Sequence, residues 1–215
     1  MKFQAPLTID ADSPEEAESL RLKVFKILGA LPIELGDLAP AGTVVTPTGP
    51  GVIEVYTDGG CDLKKDGLGA WAYVIKYADG QRVEHTAGEF GTTNNRMEMI
   101  AVIRALETIE IGQKIKIYSD SEYLIKGCTQ WARNWVKNGW KTYQGKDVIN
   151  RDLWEILIAL YQLHDVTFEW VKGHAGVEEN ERCDALCTAT MQALHKEALA
   201  SATKEPVYIT GAGDF

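Results

Sequence analysis

Three acidic residues stand where a strand ends or a helix begins: Asp58 follows Val-Tyr-Thr, Asp120 follows Ile-Tyr-Ser, and Glu98 falls in the first turn of a helical pattern. The ends of neighbouring strands share one rim of a sheet, so side chains distant in sequence converge there. Clustered carboxylates repel, and a cation relieves the repulsion. A hard, oxygen-preferring ion such as Mg2+ or Mn2+ suits such a set. Each acid also has a plainer explanation. Asp58 lies in Asp-Gly-Gly, which is turn chemistry; Glu98, three residues after Asn95, has the spacing of a capping box; Asp120 has the residue type of a helix cap.

The elements that would position these acids follow from the apolar pattern. Residues 52–57, 69–76 and 82–89 read as strands, the last two flanking Asp79-Gly80, a strong hairpin signal. Residues 95–109 have helical periodicity through Met99, Ile103 and Leu106, residues 114–119 read as a strand, and 121–135 and 152–163 as helices. Residues 166–171 alternate like a half-buried strand, and a long helix covers 178–199. Strands alternating with helices after a hairpin predict an α/β fold, a mixed sheet with helices on its faces.

Residues 1–38 read as an extension. Ser13, Pro14 and Glu16 make a helix start, and Ala17, Leu20, Val24, Ile27, Leu28 and Leu31 recur at helical spacing behind a short strand at 7–9. Residues 39–51 hold three Pro and three Gly without a charge, which is linker composition. The main domain is therefore expected at 52–199, with a tail at 200–215.

Longer strings surround the acids: Tyr56-Thr-Asp-Gly-Gly60, Thr92-Thr-Asn-Asn-Arg-Met-Glu98, Tyr118-Ser-Asp-Ser-Glu-Tyr123, Gln130-Trp-Ala-Arg-Asn-Trp135, and Trp170-Val-Lys-Gly-His-Ala-Gly176 leading to Cys183-Asp184. With these in this order, residues 53–194 resemble type 1 ribonuclease H, the bacterial form with a basic protrusion. The resemblance implies a ribonuclease H-like fold: a five-stranded mixed sheet, three strands antiparallel and two parallel. It implies an endonuclease that hydrolyses the RNA strand of RNA–DNA hybrids and removes RNA primers and R-loops during replication. Asp58, Glu98, Asp120 and Asp184 match the metal ligands of a two-ion site, for Mg2+ with Mn2+ able to substitute, and His174 matches a histidine on a mobile loop beside it.

By the same resemblance, the turn Gly59, Gly60, Cys61 and the side chains of Asn94, Asn95 and Glu98 face the groove of the hybrid, Thr93 meets a DNA phosphate, and Arg96 lies at the nucleic acid. Read from the residues alone, the segment 126–146 holds five basic residues (Lys126, Arg133, Lys137, Lys141, Lys146) and no acid, interleaved with Trp131, Trp135 and Trp140. Bases alternating with rings suit a surface that tracks a nucleic-acid backbone. Trp131 and Trp135, four apart, also fit one helix's core face. The expectation is Trp140 in the core, with Trp131 and Trp135 partly exposed.

This chain departs from the family pattern in places. The loop after Asp58 reads Gly-Gly-Cys-Asp-Leu-Lys-Lys-Asp-Gly, without the usual asparagine, so Lys64 or Lys65 would have to replace its contact. Glu122 stands where Gln is common, and Asn138 where a base is common. Related nucleases fit less well. Exonucleases of this group place Asp-x-Glu on the first strand, and here Gly60 occupies the Glu position. The alternatives are a non-catalytic hybrid-binding protein, or a reverse-transcriptase-derived ribonuclease H domain.

The chain has 215 residues, 45% hydrophobic and 25% charged, with no apolar run long enough to span a bilayer and no signal-peptide pattern at its start, so a cytoplasmic protein is expected. Four cysteines without Cys-x-x-Cys spacing read as reduced, partly buried thiols. His85, His164 and His195 read as surface residues. Formal charge is −9, which alone argues against a polyanion partner. The basic 126–146 strip and four acids in one pocket reconcile the two. Residues 1–50 have only Phe3 and Phe25 as aromatics, so the N-terminal helix is expected to dock on an otherwise monomeric catalytic domain or on a second copy, giving a dimer.

Overall fold

The computed structural model describes residues 51–202. The expected N-terminal strand and helix and the end of the tail lie outside the described residues. Five strands form one sheet: β1 (Ile53–Asp62), β2 (Leu68–Lys76), β3 (Arg82–Glu89), β4 (Lys114–Ser119) and β5 (Asp165–Trp170), in the order β3-β2-β1-β4-β5. β1 and β2, and β2 and β3, pair antiparallel; β4 pairs parallel with β1 and with β5. The mixed sheet is as expected. The β2–β3 turn closes through Tyr77 and Gln81, whose backbones are joined at 2.9 Å, with Gly80 supplying a φ of 87°.

The helices are α1 (Asn94–Thr108), α2 (Glu122–Lys126), α3 (Ala132–Lys137), α4 (Arg151–Gln162) and α5 (Glu178–Ala202). Strand alternation divides the core. On one face Val55, Tyr73, Ile75 and Ile117 pack with Met97, Val102 and Leu106 of α1 and Trp154 and Leu157 of α4. On the other, Tyr56, Ala70, Ala72 and Val74 meet Cys183 and Cys187 of α5. Small residues on β2 let the helix approach closely. All four cysteines are free thiols. Among the described residues no helix is long and apolar enough to cross a membrane.

Three expectations need correction. The helix expected over 121–135 is interrupted by a π-helical turn, Gly127–Trp131. Gly127 explains it: a Cβ there would lie 1.9 Å from the buried Trp154 ring, and the widened turn passes the chain over that ring. Trp140 is half-buried rather than fully in the core, with Arg151 over its ring at 5.4 Å. His85 and His164 are not surface residues: His85 is half-buried, its ring stacked with those of Trp71 and Tyr73, and His164 is buried.

Candidate active site

β1 does not end before Asp58, as the Asp-Gly-Gly string suggests. Its parallel pairing with β4 stops at Tyr56 opposite Tyr118, while the antiparallel ladder with β2 continues through Asp58 opposite Ala72 to Asp62. Asp58 therefore stands just past the point where β1 loses one neighbour. One of its oxygens accepts the Gly59 N–H at 2.8 Å. Asp120 follows the last residue of β4, and its carbonyl oxygen accepts from Trp170 Nε1 at 3.1 Å. Gly173 lies against it, since a Cβ there would sit 2.5 Å from Asp120 Oδ2.

Glu98 arrives from the other face of the sheet. α1 is capped by Thr93, whose hydroxyl accepts from Arg96 N, so Asn95 is not the cap and the capping-box explanation of Glu98 falls away. The first turn of α1 rests on Gly59, which has no side chain to hold it off. Ser121 Oγ donates to Glu98 Oε2, and the same oxygen caps α2 by accepting from Leu124 N at 3.3 Å. Ser121 thus ties Glu98 to the residue after Asp120.

Asp184 comes from α5, between Cys183 and Cys187, which face β1 and direct their thiols to the carbonyls of Tyr56 and Asp58. His174 is exposed on the loop before α5, in a left-handed conformation, with Nδ1 3.6 Å from Asp184 Oδ2. That loop is anchored where Gly176 N donates to Glu181 Oε1 at 2.9 Å.

The acids act on one another. Burial, then the charges of Asp120 and Asp184, push Asp58 up to about 6, against the Gly59 N–H and His174, which pull it down. Burial likewise raises Glu98 to about 7; the Ser121 hydroxyl opposes this, and Asp120 and Asp58 add to it. One field joins β1, α1, the end of β4 and α5. Among the described residues no group of three His, Cys, Asp or Glu side chains already stands as a metal-holding cage. The donor chemistry nevertheless fits a hard divalent cation: carboxylate oxygens only, partly desolvated and mutually repelling.

The expected nucleic-acid residues are distributed unevenly. Gly59 is buried under α1, Gly60 and Cys61 are half-buried, and Cys61 Sγ donates to Thr92 O at 3.3 Å. Thr93, Asn94 and Asn95 are exposed together at the start of α1. Arg96 is instead turned onto Asp152, with two contacts at 2.9 and 3.1 Å. In the basic strip, Lys126 pairs with Glu122 and Lys141 with Asp147, while Arg133, Lys137 and Lys146 are exposed and have no ion pair among the described residues. Glu122 is thereby partly neutralised. Both Lys64 and Lys65 are exposed; Lys65 pairs with Asp62 at 3.6 Å, and Lys64 has no ion pair among the described residues. Trp135 packs on the core, edge-on to Trp154 at 5.3 Å, and half-buried Trp131 lies beyond it at 5.7 Å. Ser121, Trp170 and Gly173 were not singled out from sequence; a serine directly after Asp120 at a helix start was the one available signal.

The family model described as RNase H matches residues 50–192. A ribonuclease H of Hahella chejuensis is 44% identical over 147 residues, 68% of this chain and 95% of that protein. A ribonuclease HI of Synechocystis is 43% identical over 144 residues, 66% and 89% of the two chains. A crystal structure of a type 1 ribonuclease H with the type 2 active-site motif superposes with a TM-score of 0.60 at 28% identity, covering 70% of this chain and 74% of that one.

Proposed function

Because this chain belongs to the ribonuclease H family, we propose that Asp58, Glu98, Asp120 and Asp184 form the site at which it hydrolyses the RNA strand of RNA–DNA hybrids internally, leaving 5′-phosphate and 3′-hydroxyl ends. The observation that carries the reading is the convergence of four carboxylates from β1, α1, the end of β4 and α5, with Ser121 tying Glu98 to the residue after Asp120 and the thiols beside Asp184 reaching the carbonyls of Tyr56 and Asp58. Two divalent ions, Mg2+ or Mn2+, would be held by Asp58, Glu98, Asp120 and Asp184, and would supply positive charge at the scissile phosphate and polarise the attacking water.

The chain's own groups set the rest. The Gly59 N–H occupies one oxygen of Asp58 and orients the carboxylate; Ser121 does the same for Glu98. His174, exposed beside Asp184, takes or returns a proton at its imidazole as product leaves. The backbone of Gly59, Gly60 and Cys61 with Asn94 and Asn95 reads the 2′-hydroxyls of the shallow groove, and Thr93 meets a DNA phosphate. Trp131, Arg133, Trp135, Lys137 and Lys141 track the DNA backbone. The activity is assigned to residues 52–199, acting in the cytoplasm on primer RNA and R-loops.

The test is incubation with a labelled RNA–DNA hybrid and Mg2+, with Asp58→Asn alongside. Cleavage of RNA alone, abolished in Asp58→Asn with hybrid affinity nearly intact, is expected. Stable binding by the unaltered protein without cleavage at any metal concentration would make it a hybrid-binding protein instead.

A further inference from the structure

Arg96 lies in the first turn of α1, two residues before Glu98. Its guanidinium grips Asp152 with two prongs, Nη1 to Oδ1 at 3.1 Å and Nη2 to Oδ2 at 2.9 Å, and Nη1 also reaches Asn150 Oδ1 at 3.5 Å. Asp152 is in the first turn of α4, and Asn150, left-handed at φ 59°, is the residue on which the chain turns into that helix. This is the root of the basic, tryptophan-bearing segment. The root is held a second time from α2: Tyr123 OH donates to Ile149 O at 3.3 Å and accepts from Trp154 Nε1 at 3.0 Å. The Asn150 side chain makes no cap for α4, so Arg96 is the partner recorded for its oxygen.

A planar fork on a carboxylate fixes an angle as well as a distance, which a lysine cannot do. Thr93 and α1 then present one rigid edge to α4, at the end of the helix that brings Glu98 to Asp58. From this geometry we infer that Arg96 is a positioning residue: it locks the root of the basic segment to the start of the Glu98 helix, so that a duplex gripped by the segment stays in register with the acids. This rests on the reading of the site given under Proposed function. The competing role is a direct phosphate contact by Arg96. The two differ in what Asp152 does. A clamp fails equally when either partner is lost, whereas a phosphate contact survives the loss of Asp152.

The full chain is compared with Arg96→Lys, Arg96→Ala, Asp152→Asn and the Arg96→Ala/Asp152→Asn pair. Single-turnover cleavage of a labelled hybrid is read in Mg2+. Hybrid affinity is read in an Asp58→Asn background, and amide hydrogen exchange is read over residues 94–98 and 150–154. Arg96→Ala and Asp152→Asn are each expected to slow cleavage about tenfold. The pair should be no slower than either alone, Arg96→Lys should not rescue, and exchange should rise on both sides of the contact. Hybrid affinity should change by less than about threefold, because no phosphate contact is lost. Weakened binding in Arg96→Ala with unaltered behaviour in Asp152→Asn would overturn the clamp in favour of the phosphate contact. Unchanged exchange in Asp152→Asn would overturn it as well, and does so whether or not the protein cleaves hybrids, which separates this failure from failure of the proposed activity.

Discussion

The backbone of Gly59 runs directly beneath Glu98: a methyl group on Gly59 would lie 2.3 Å from the Glu98 amide nitrogen and 2.4 Å from the Met97 carbonyl carbon. This contact sets the separation between the strand that carries Asp58 and the helix that carries Glu98. A Cβ has no flexible side chain to push aside there, only backbone.

Gly59→Ala is therefore expected to displace the first turn of α1, destabilising the protein by about 1–3 kcal/mol and reducing cleavage further than that loss of stability accounts for. Thermal melting and single-turnover cleavage at a temperature where the variant is folded check it. An unaltered rate would mean that the spacing of Asp58 and Glu98 does not matter.

Stability without divalent ions should depend on pH through the same two acids. Asp58 is raised from 3.8 to about 6 and Glu98 from 4.5 to about 7. Below about pH 3 both are protonated folded and unfolded and cost little, and the cost builds from about pH 4 up to the folded values of about 6 and 7. As pH rises, the unfolded chain ionises first while the folded one keeps its protons, so stability falls through pH 6–7, on the order of 2–3 kcal/mol for each group. Glu84, held down to about 2 chiefly by Arg182, works in the opposite sense but below pH 4.5. In EDTA, Asp58→Asn should melt higher than the unaltered chain at about pH 7.5 and close to it at about pH 3. Equal melting temperatures at pH 7.5 would count against a strained Asp58.

Ser121→Ala removes the cap of α2 and the hydroxyl that holds Glu98. The cap is worth about 1 kcal/mol, and freeing a ligand's orienting partner weakens metal binding by about tenfold or more. Calorimetric titration with Mg2+ reads the second effect and melting reads the first. Ser121→Thr keeps the hydroxyl and should restore both.

The half-buried Trp131 and Trp135 should separate. Trp135→Ala empties a site packed on Trp154 and the core, and is expected to cost about 3 kcal/mol of stability. Trp131→Ala removes a ring set against Tyr123 and Trp135, so it should cost less stability than Trp135→Ala while weakening hybrid binding by about 1–3 kcal/mol. Equal destabilisation by both would return Trp131 to a packing role.

The strand and helix pattern was legible because each element follows a single periodicity: residues 82–89 and 114–119 coincide with β3 and β4, and α1 and α4 begin one residue before their expected starts. What escaped is tertiary. β1 runs on through Gly59-Gly60 because β2 keeps pairing with it, although glycines usually end a strand. The π-helical turn depends on the Trp154 ring arriving from another element, and nothing near Gly127 in sequence announces that. Glu98 and Asp120 follow from a helix start and a strand end, Asp58 stands at an expected strand end that β1 in fact runs past, and Asp184 and His174 follow from the resemblance. Ser121 and Asp152 could not, because their importance lies in partners 23 and 56 residues away.

The acids reach one another from four separate stretches of chain, and the last of them, Asp184, arrives on the helix that is also the last to be synthesised among the described residues. Its docking on Tyr56 and Val74 buries Cys183 and Cys187 in the same act. During translation, β1 to β4 can therefore emerge and pair before the fourth negative charge is brought against the other three. Asp120, Asp58 and Glu98 already oppose one another before that step, and docking of α5 adds the charge of Asp184 to Asp58. A nascent chain short of α5 carries the sheet but not Asp184, so the four proposed ligands come together only after α5 has emerged.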